Sequence, residues 1–198
     1  MITCLDALLL FLVGHKEQSG YDIRQVFQDT PVGLFSDSPG AIYPALARLE
    51  LRGLLRSDSI SGGRRKKVFA RTAEGGQALL DYLREPVRAE DVKRRQAELD
   101  LRYVMIEVTL GETDAKIFVA ACAEAFAREL RGLEAFRDGA GQALGTAPLR
   151  SLDLGIRLIG TRLAWCREMI HKEGAIDEDI RNVGPDGRHP GLGAGAGR

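Results

Sequence analysis

One stretch departs from the helical pattern of the rest of the chain. Residues 54–60, "LLRSDSI", are followed by "SGGRRKK" and then by "VFART" (68–72), a strand, a glycine turn and a second strand. On either side the apolar residues recur at helical spacing. Before it, Leu5, Leu8, Leu9 and Leu12 lie at i, i+3, i+4 and i+7, and Ile42, Leu46 and Leu49 repeat that geometry. After it, Leu79, Leu80 and Leu83 mark another helix, with Thr72 as its cap and Glu74 in its first turn. The glycine turn carries Arg64, Arg65, Lys66 and Lys67 in a row, with Arg71 after them.

Local signals divide the helices before the hairpin. The first is expected over about Thr3 to Val13, with Gly14 as its stop. Ser19 is a good N-cap for the second, and Asp22 three residues on completes a box-like start. Ile23, Val26 and Phe27 mark its inner face, and Pro31 and Gly33 end it. The third is expected to start at Ser38 with Pro39 in its first position, and to end near Arg52 and Gly53. Pro44 lies inside this helix and lacks an N–H, which predicts a loosened or kinked first turn. Three helices, a cationic hairpin and a fourth helix make a winged helix-turn-helix: one helix for the major groove, one wing along the neighbouring phosphates.

The second half shows no further strand signal. Leu99, Leu101, Val104, Met105, Ile106 and Val108 mark one helix, and Gly111 or Thr113 begins the next. Phe118, Cys122, Phe126, Leu130 and Leu133 line that one. Gly139, Gly141, Gly145 and Pro148 mark a loop, and a last helix is expected from about Leu149 to Lys172. Its apolar residues form two stripes. Leu152, Ile156, Ile159, Leu163, Cys166 and Ile170 make one, and Leu154, Leu158, Trp165 and Met169 the other. A helix apolar on two sides needs two surfaces to bury against. One is its own domain, and a second copy of the chain is expected to supply the other. The expected fold class is therefore mainly α. A winged helix-turn-helix with a two-stranded β wing occupies 1–86, a helical dimerisation and possible effector domain 87–175, and a disordered Gly-rich tail 176–198.

The chain has 28 basic and 28 acidic residues, so nucleic-acid binding has to come from a local patch. The three cysteines, Cys4, Cys122 and Cys166, are scattered, which suits buried thiols in a reducing compartment. The apolar run Leu5–Val13 is too short to span a bilayer and has no basic flank before it. No membrane association is expected, and a cytoplasmic location is. His15, His171 and His189 have no metal-ligand spacing, and there is no GxSxG, HExxH or Walker loop. No cofactor, metal or enzymatic activity is expected. The terminal "GLGAGAG" follows no strand and opens no helix, so it is not read as a phosphate loop.

The stretches "SGYDI" (19–23), "SPGAIYPALARLELRGLL" (38–55), "GGRRKKVFART" (62–72) and "AEGGQAL" (73–79) resemble the PadR family of bacterial transcriptional regulators. The similarity covers the first 80 or so residues. The helical second half is similar in size and placement to the dimerisation region of the larger PadR-like proteins, without a sharp motif. The resemblance implies a homodimer on a near-palindromic double-stranded DNA operator. Family members are mostly repressors, some released by small phenolic or drug-like ligands, and a related branch activates. A small aromatic effector is thus a candidate partner.

The candidate DNA-binding residues are Ser19 and Tyr21, then Ser36, Ser38, Gly40, Ala41, Tyr43, Pro44 and Arg48, and in the wing Arg64, Arg65, Lys66 and Lys67. Tyr43 either projects toward DNA or packs in the core. Arg48 reaches either a phosphate or a carboxylate on the Glu50 side of its helix. Ser19 is a helix cap whatever else it does. The candidate dimer interface is Leu152, Ile156, Ile159, Leu163, Trp165, Cys166 and Ile170. Trp165 is either interface or core packing, or, as the resemblance allows, the aromatic wall of an effector pocket between protomers. The competing reading is a winged-helix protein-interaction or ligand-binding module without specific DNA binding.

Overall fold

Helix α1, Cys4–His15, is opened by a reciprocal cap. The Thr3 hydroxyl accepts from the Asp6 N–H at 3.1 Å, and the Asp6 carboxylate accepts from the Thr3 N–H at 3.0 Å. The coordinates are a computed structural model that describes residues 2–29, 39–60 and 66–171. α1 is not a one-faced helix. Leu8, Leu9, Leu10, Ala7 and Val13 are all buried, because the helices Pro39–Leu51, Ala73–Leu83 and Gln96–Leu110 and the sheet surround it. It also runs through Gly14, the expected stop. A Cβ at Gly14 would lie 2.4 Å from the guanidinium carbon of Arg71, so this glycine permits a close approach rather than ending a helix.

Strand β1 is only Gln18–Ser19, followed directly by α2, Gly20–Asp29. Helix α3, Pro39–Leu51, puts Ile42, Leu46 and Leu49 fully into the core and runs without a break through Pro44. Gly53, at φ 70°, turns the chain out of α3 into β2, Leu55–Ile60. β2 pairs antiparallel with β3, Lys66–Arg71, with Leu55 opposite Arg71 and Ile60 opposite Lys66. β1 pairs with the other edge of β3, giving a three-stranded sheet in the order β1-β3-β2. The wing thus has two strands, as expected, but its sheet has three. A two-residue strand is too short to show alternation. Lys66 and Lys67 belong to β3 rather than to the turn. Thr72 caps α4, Ala73–Leu83, accepting from the Gly75 N–H at 3.0 Å.

Four helices complete the described chain. They are α5 (Ala89–Arg94), α6 (Gln96–Leu110), α7 (Glu112–Asp138) and α8 (Thr146–His171). Gly111, at φ 97°, separates α6 from α7. Pro148, expected in a loop, sits in the first turn of α8, where a missing N–H costs nothing. α7 and α8 are each about 40 Å long at 1.5 Å per residue, and they pack against each other as a hairpin joined by a short 3-10 turn at Ala140–Ala143.

The buried cluster is continuous across the expected boundary at residue 86. It runs from Leu9 and Leu79 through Val92 and Met105 to Phe126 and Leu163. Buried Arg102 on α6 ties the halves together. Its guanidinium donates to the carbonyls of Leu83 (2.8 Å) and Glu85, at the end of α4. It also lies 5.7 Å from the Tyr82 ring and 5.0 Å from the Phe118 ring. The Gly-rich tail lies outside the described residues.

Candidate nucleic-acid interface

Burying Ile42, Ala45, Leu46 and Leu49 decides what α3 shows to solvent. Gly40, Tyr43, Pro44 and Ala47 lie on its exposed side, with Ala41 half-buried. Tyr43 is 46% exposed, and its ring covers Gly20 at the start of α2, where an added Cβ would sit 2.4 Å from Cε1. It is therefore neither in the core nor free of it. The backbone of α2 braces its ring from one side. Tyr21, 60% exposed, stands next to that contact. Two tyrosines, a proline and small residues thus form one outward surface across the helix-turn-helix.

Ser19 is a different case. It is buried, its hydroxyl donates to the Asp22 carboxylate at 2.8 Å and accepts from the Asp22 N–H at 3.3 Å, and its own N–H also goes to that carboxylate. With these bonds made, Ser19 acts as the cap of α2.

The structure also resolves Arg48 and Glu50. Arg48 reaches a carboxylate, that of Asp6 on α1 at 2.5 Å, not the Glu50 side of its own helix. Asp6 is 1% exposed, and its other oxygen holds the Thr3 cap, so Arg48 neutralises a buried charge. Glu50 turns instead to the wing. It accepts from Ser57 on β2 at 2.5 Å and from Lys67 on β3 at 2.6 Å, which clamps α3 to both strands. The Lys67 hydrogen bond, then that of Ser57, holds the Glu50 carboxyl below its ordinary pKa of 4.5. Lys67 lies 5.4 Å from the Phe69 ring and is a fastening of the wing base rather than a free cation. Arg56 is likewise shared, with Glu17 at 2.7 Å and Asp58 at 2.6 Å. Nothing local announced the Arg48–Asp6, Arg56–Glu17 and Glu50–Lys67 pairs, because those partners are 17 to 42 residues apart. Ser36, Ser38, Arg64 and Arg65 lie outside the described residues, as does the side chain of Lys66.

In the helical half, the expected interface splits. Ile159, Leu163 and Cys166 are at most 5% exposed within the single chain, part of the buried cluster that α7 and α8 share. They belong to the core of the single chain. Leu152, Ile156 and Ile170 are half-buried. What remains outside is the second stripe, Leu154, Leu158 and Trp165, at 57%, 56% and 43% exposure. Trp165 also meets Tyr103 edge-to-face, with centroids 5.4 Å apart, at the rim of a cavity. Among the described residues there is no cluster of metal-ligating side chains, and no helix long and apolar enough to cross a membrane.

Comparison with known proteins bears on the same segment. Residues 9–81 match the transcriptional regulator PadR-like family. They form a PadR-like domain. The match takes in the second half of α1, the Tyr43 surface of α3, both wing strands and most of α4. The chain is 31% identical over 100 residues to the transcriptional regulator YqjI of Escherichia coli, covering 50% of this chain and 47% of that protein. It thus spans about half the length of the curated relatives it matches. Among solved structures, a PadR-like transcriptional regulator from Bacillus cereus is 25% identical, over 84% of this chain and 95% of that one, with a TM-score of 0.37. Bacillus subtilis PadR in complex with operator DNA is 21% identical, over 86% and 97%, with a TM-score of 0.41. The same protein in complex with p-coumaric acid is 22% identical, over 85% and 97%, with a TM-score of 0.39.

Proposed function

We propose that the chain is a homodimeric, sequence-specific DNA-binding transcriptional regulator that acts as a repressor by occupying its operator. Residues 1–86 read DNA, and residues 87–175 dimerise and set the half-site spacing. The observation that carries this reading is the outward face of α3. Gly40, Tyr43 and Pro44 are presented beside a wing that Glu50 clamps to the same helix. Small residues at the start of α3 let the helix approach bases closely, and Tyr43 and Tyr21 supply contacts to base edges and phosphates. Arg64, Arg65 and Lys66 at the wing provide the phosphate contacts. A second chain covers Leu154, Leu158 and Trp165, the apolar residues that α8 leaves exposed. An effector, where there is one, acts from the helical half through the Arg102 junction.

One observation favours the competing reading, a protein-interaction module. Arg48, Arg56 and Lys67 are already paired with carboxylates, so the electrostatic attraction rests on the wing tip. Fluorescence anisotropy separates the two. The wild-type chain should bind the duplex upstream of its own gene more tightly than a scrambled duplex, and the preference should persist as salt rises. Arg64→Ala with Arg65→Ala removes four cations from a dimer and should flatten the log–log salt slope by about 3–4. Equal slopes would remove the wing from the mechanism. Equal, salt-labile binding to both duplexes, with no bound fragment in a genome-wide selection, would leave the interaction module.

A further inference from the structure

A groove of about 500 Å³ lies between the end of α1, the residues that lead from it into β1, the last residues of β3 and the first turn of α4. That volume is in the range of small-molecule sites. At about 3.4 Å per strand residue, Arg71 in the groove lies about 17 Å from Lys66, where β3 leaves the wing turn. This end of the sheet is therefore remote from the wing tip that the DNA reading uses.

Two cations in the groove have no counter-charge. The Arg71 guanidinium lies on the backbone of Gly14, where an added Cβ would sit 2.4 Å from Cζ, and its Nη1 reaches the Leu10 carbonyl only at 3.4 Å. It is half-buried, yet among the described residues it meets no carboxylate. Exposed Lys16 meets none either. The one carboxylate of the lining, Glu17, is taken by Arg56 at 2.7 Å. A guanidinium held partly out of water without a partner charge is a site for an oxyanion, which it grips through a fork of two hydrogen bonds. The rest of the lining is polar or small, and its one large apolar residue, Val13, is buried. An aliphatic or aromatic ligand would gain little here.

We propose that this groove binds a small phosphate monoester with a hydroxylated body, its phosphate held by Arg71 beside Lys16. The site goes beyond the DNA reading and does not rest on it, so the two fail separately.

The full chain is titrated by calorimetry with glucose 6-phosphate and with glucose, in a chloride buffer of fixed ionic strength. Glucose 6-phosphate should bind once per chain with a Kd on the order of 1 mM or tighter. Inorganic phosphate should compete with it, and glucose should not bind. Gly76 lines the groove, and a Cβ there would lie 3.9 Å from Arg71 Nε, so Gly76→Glu offers Arg71 an internal carboxylate. It should weaken glucose 6-phosphate about tenfold or more, whereas Gly76→Gln, equal in size and uncharged, should stay within about threefold of wild type. Both replace a helical glycine by a better helix former, so both should keep the circular dichroism spectrum. Lys16→Ser should weaken binding about fivefold, the upper end for an exposed ion pair. The proposal is overturned if glucose 6-phosphate does not bind, if glucose binds as well, if Gly76→Glu and Gly76→Gln have equal affinities, or if Lys16→Ser changes nothing. Displacement by a scrambled DNA duplex would overturn it too, since the groove would then belong to the DNA backbone.

Discussion

Gly75 and Gly76 are neighbours in α4, and alanine at each should change stability in opposite directions. An alanine replacing glycine inside a helix normally stabilises by about 1 kcal/mol, because it restricts the unfolded chain and favours the helix. At Gly76 nothing opposes that gain, since the nearest atom to an added Cβ is Arg71 Nε at 3.9 Å. At Gly75 the same Cβ would lie 2.0 Å from the carbonyl oxygen of Leu54 and 3.0 Å from its carbon. That carbonyl is backbone, and it accepts the Thr72 N–H at 3.2 Å, so it has no easy way to move. Ordinary contact needs more than 1 Å of retreat, by α4 or by the turn between α3 and β2. Overpacking of this kind costs about 3 kcal/mol at the upper end of its usual range, which leaves Gly75→Ala about 2 kcal/mol less stable after the helical gain. For a chain of this size each kcal/mol moves Tm by about 2–4 °C. Thermal unfolding followed by circular dichroism should show Gly75→Ala about 4–8 °C below wild type and Gly76→Ala about 2–4 °C above it. A rise in both would mean that α4 does not press on the α3–β2 turn, and the account of how the wing is positioned would fail with it.

Gly20→Ala drives a Cβ into the Tyr43 ring and should weaken operator binding about tenfold, about 1.4 kcal/mol, with the fold intact by circular dichroism; unchanged affinity would take Tyr43 off the DNA surface. Glu50 has a pKa lowered by Lys67 and Ser57, so its stabilising contribution is present above its ordinary 4.5 and is lost as pH falls through the folded value. The Tm difference between wild type and Glu50→Gln should therefore shrink on acidification below 4.5, and a difference independent of pH would refute the clamp. Burial raises Cys4 to about 11, Cys122 to about 12 and Cys166 to about 11, against an ordinary 9.0. Their contribution to stability is complete below pH 9 and is lost as pH rises toward those values, because only the unfolded chain releases the protons. Native protein at neutral pH should resist iodoacetamide and react fully in denaturant; fast native alkylation would contradict the buried thiols.

The elements easiest to see in the sequence were those set by neighbours along the chain. The Ser19–Asp22 box, the Thr72 cap and the exit at Gly53 each depend on residues within a few positions, and the structure has all three. So does the Ile42, Leu46, Leu49 face of α3, since helical period alone brings those residues together. The ion pairs went unseen for the opposite reason. Whether Arg48 met a phosphate, Glu50 or Asp6 depended on how α1 lies across α3, and nothing local encodes that packing. β1 leaves no signal in the sequence because two residues carry no period, and Gly14 has the look of a helix stop because its neighbour in space, Arg71, is in a strand far along the chain.

The last helix shows the same division. Its sequence alone determined that α8 has two apolar stripes, and hence two surfaces to bury. It could not say which stripe belongs to the chain itself, because either one satisfies the period. Tertiary packing decided that. α7 takes the stripe of Ile159, Leu163 and Cys166 into the core, and Leu154, Leu158 and Trp165 stay outside. Local propensity and hydrophobic period set what each segment can become, whereas partners far apart in the chain are chosen only when the helices close on one another and each buried charge must find its counter-charge.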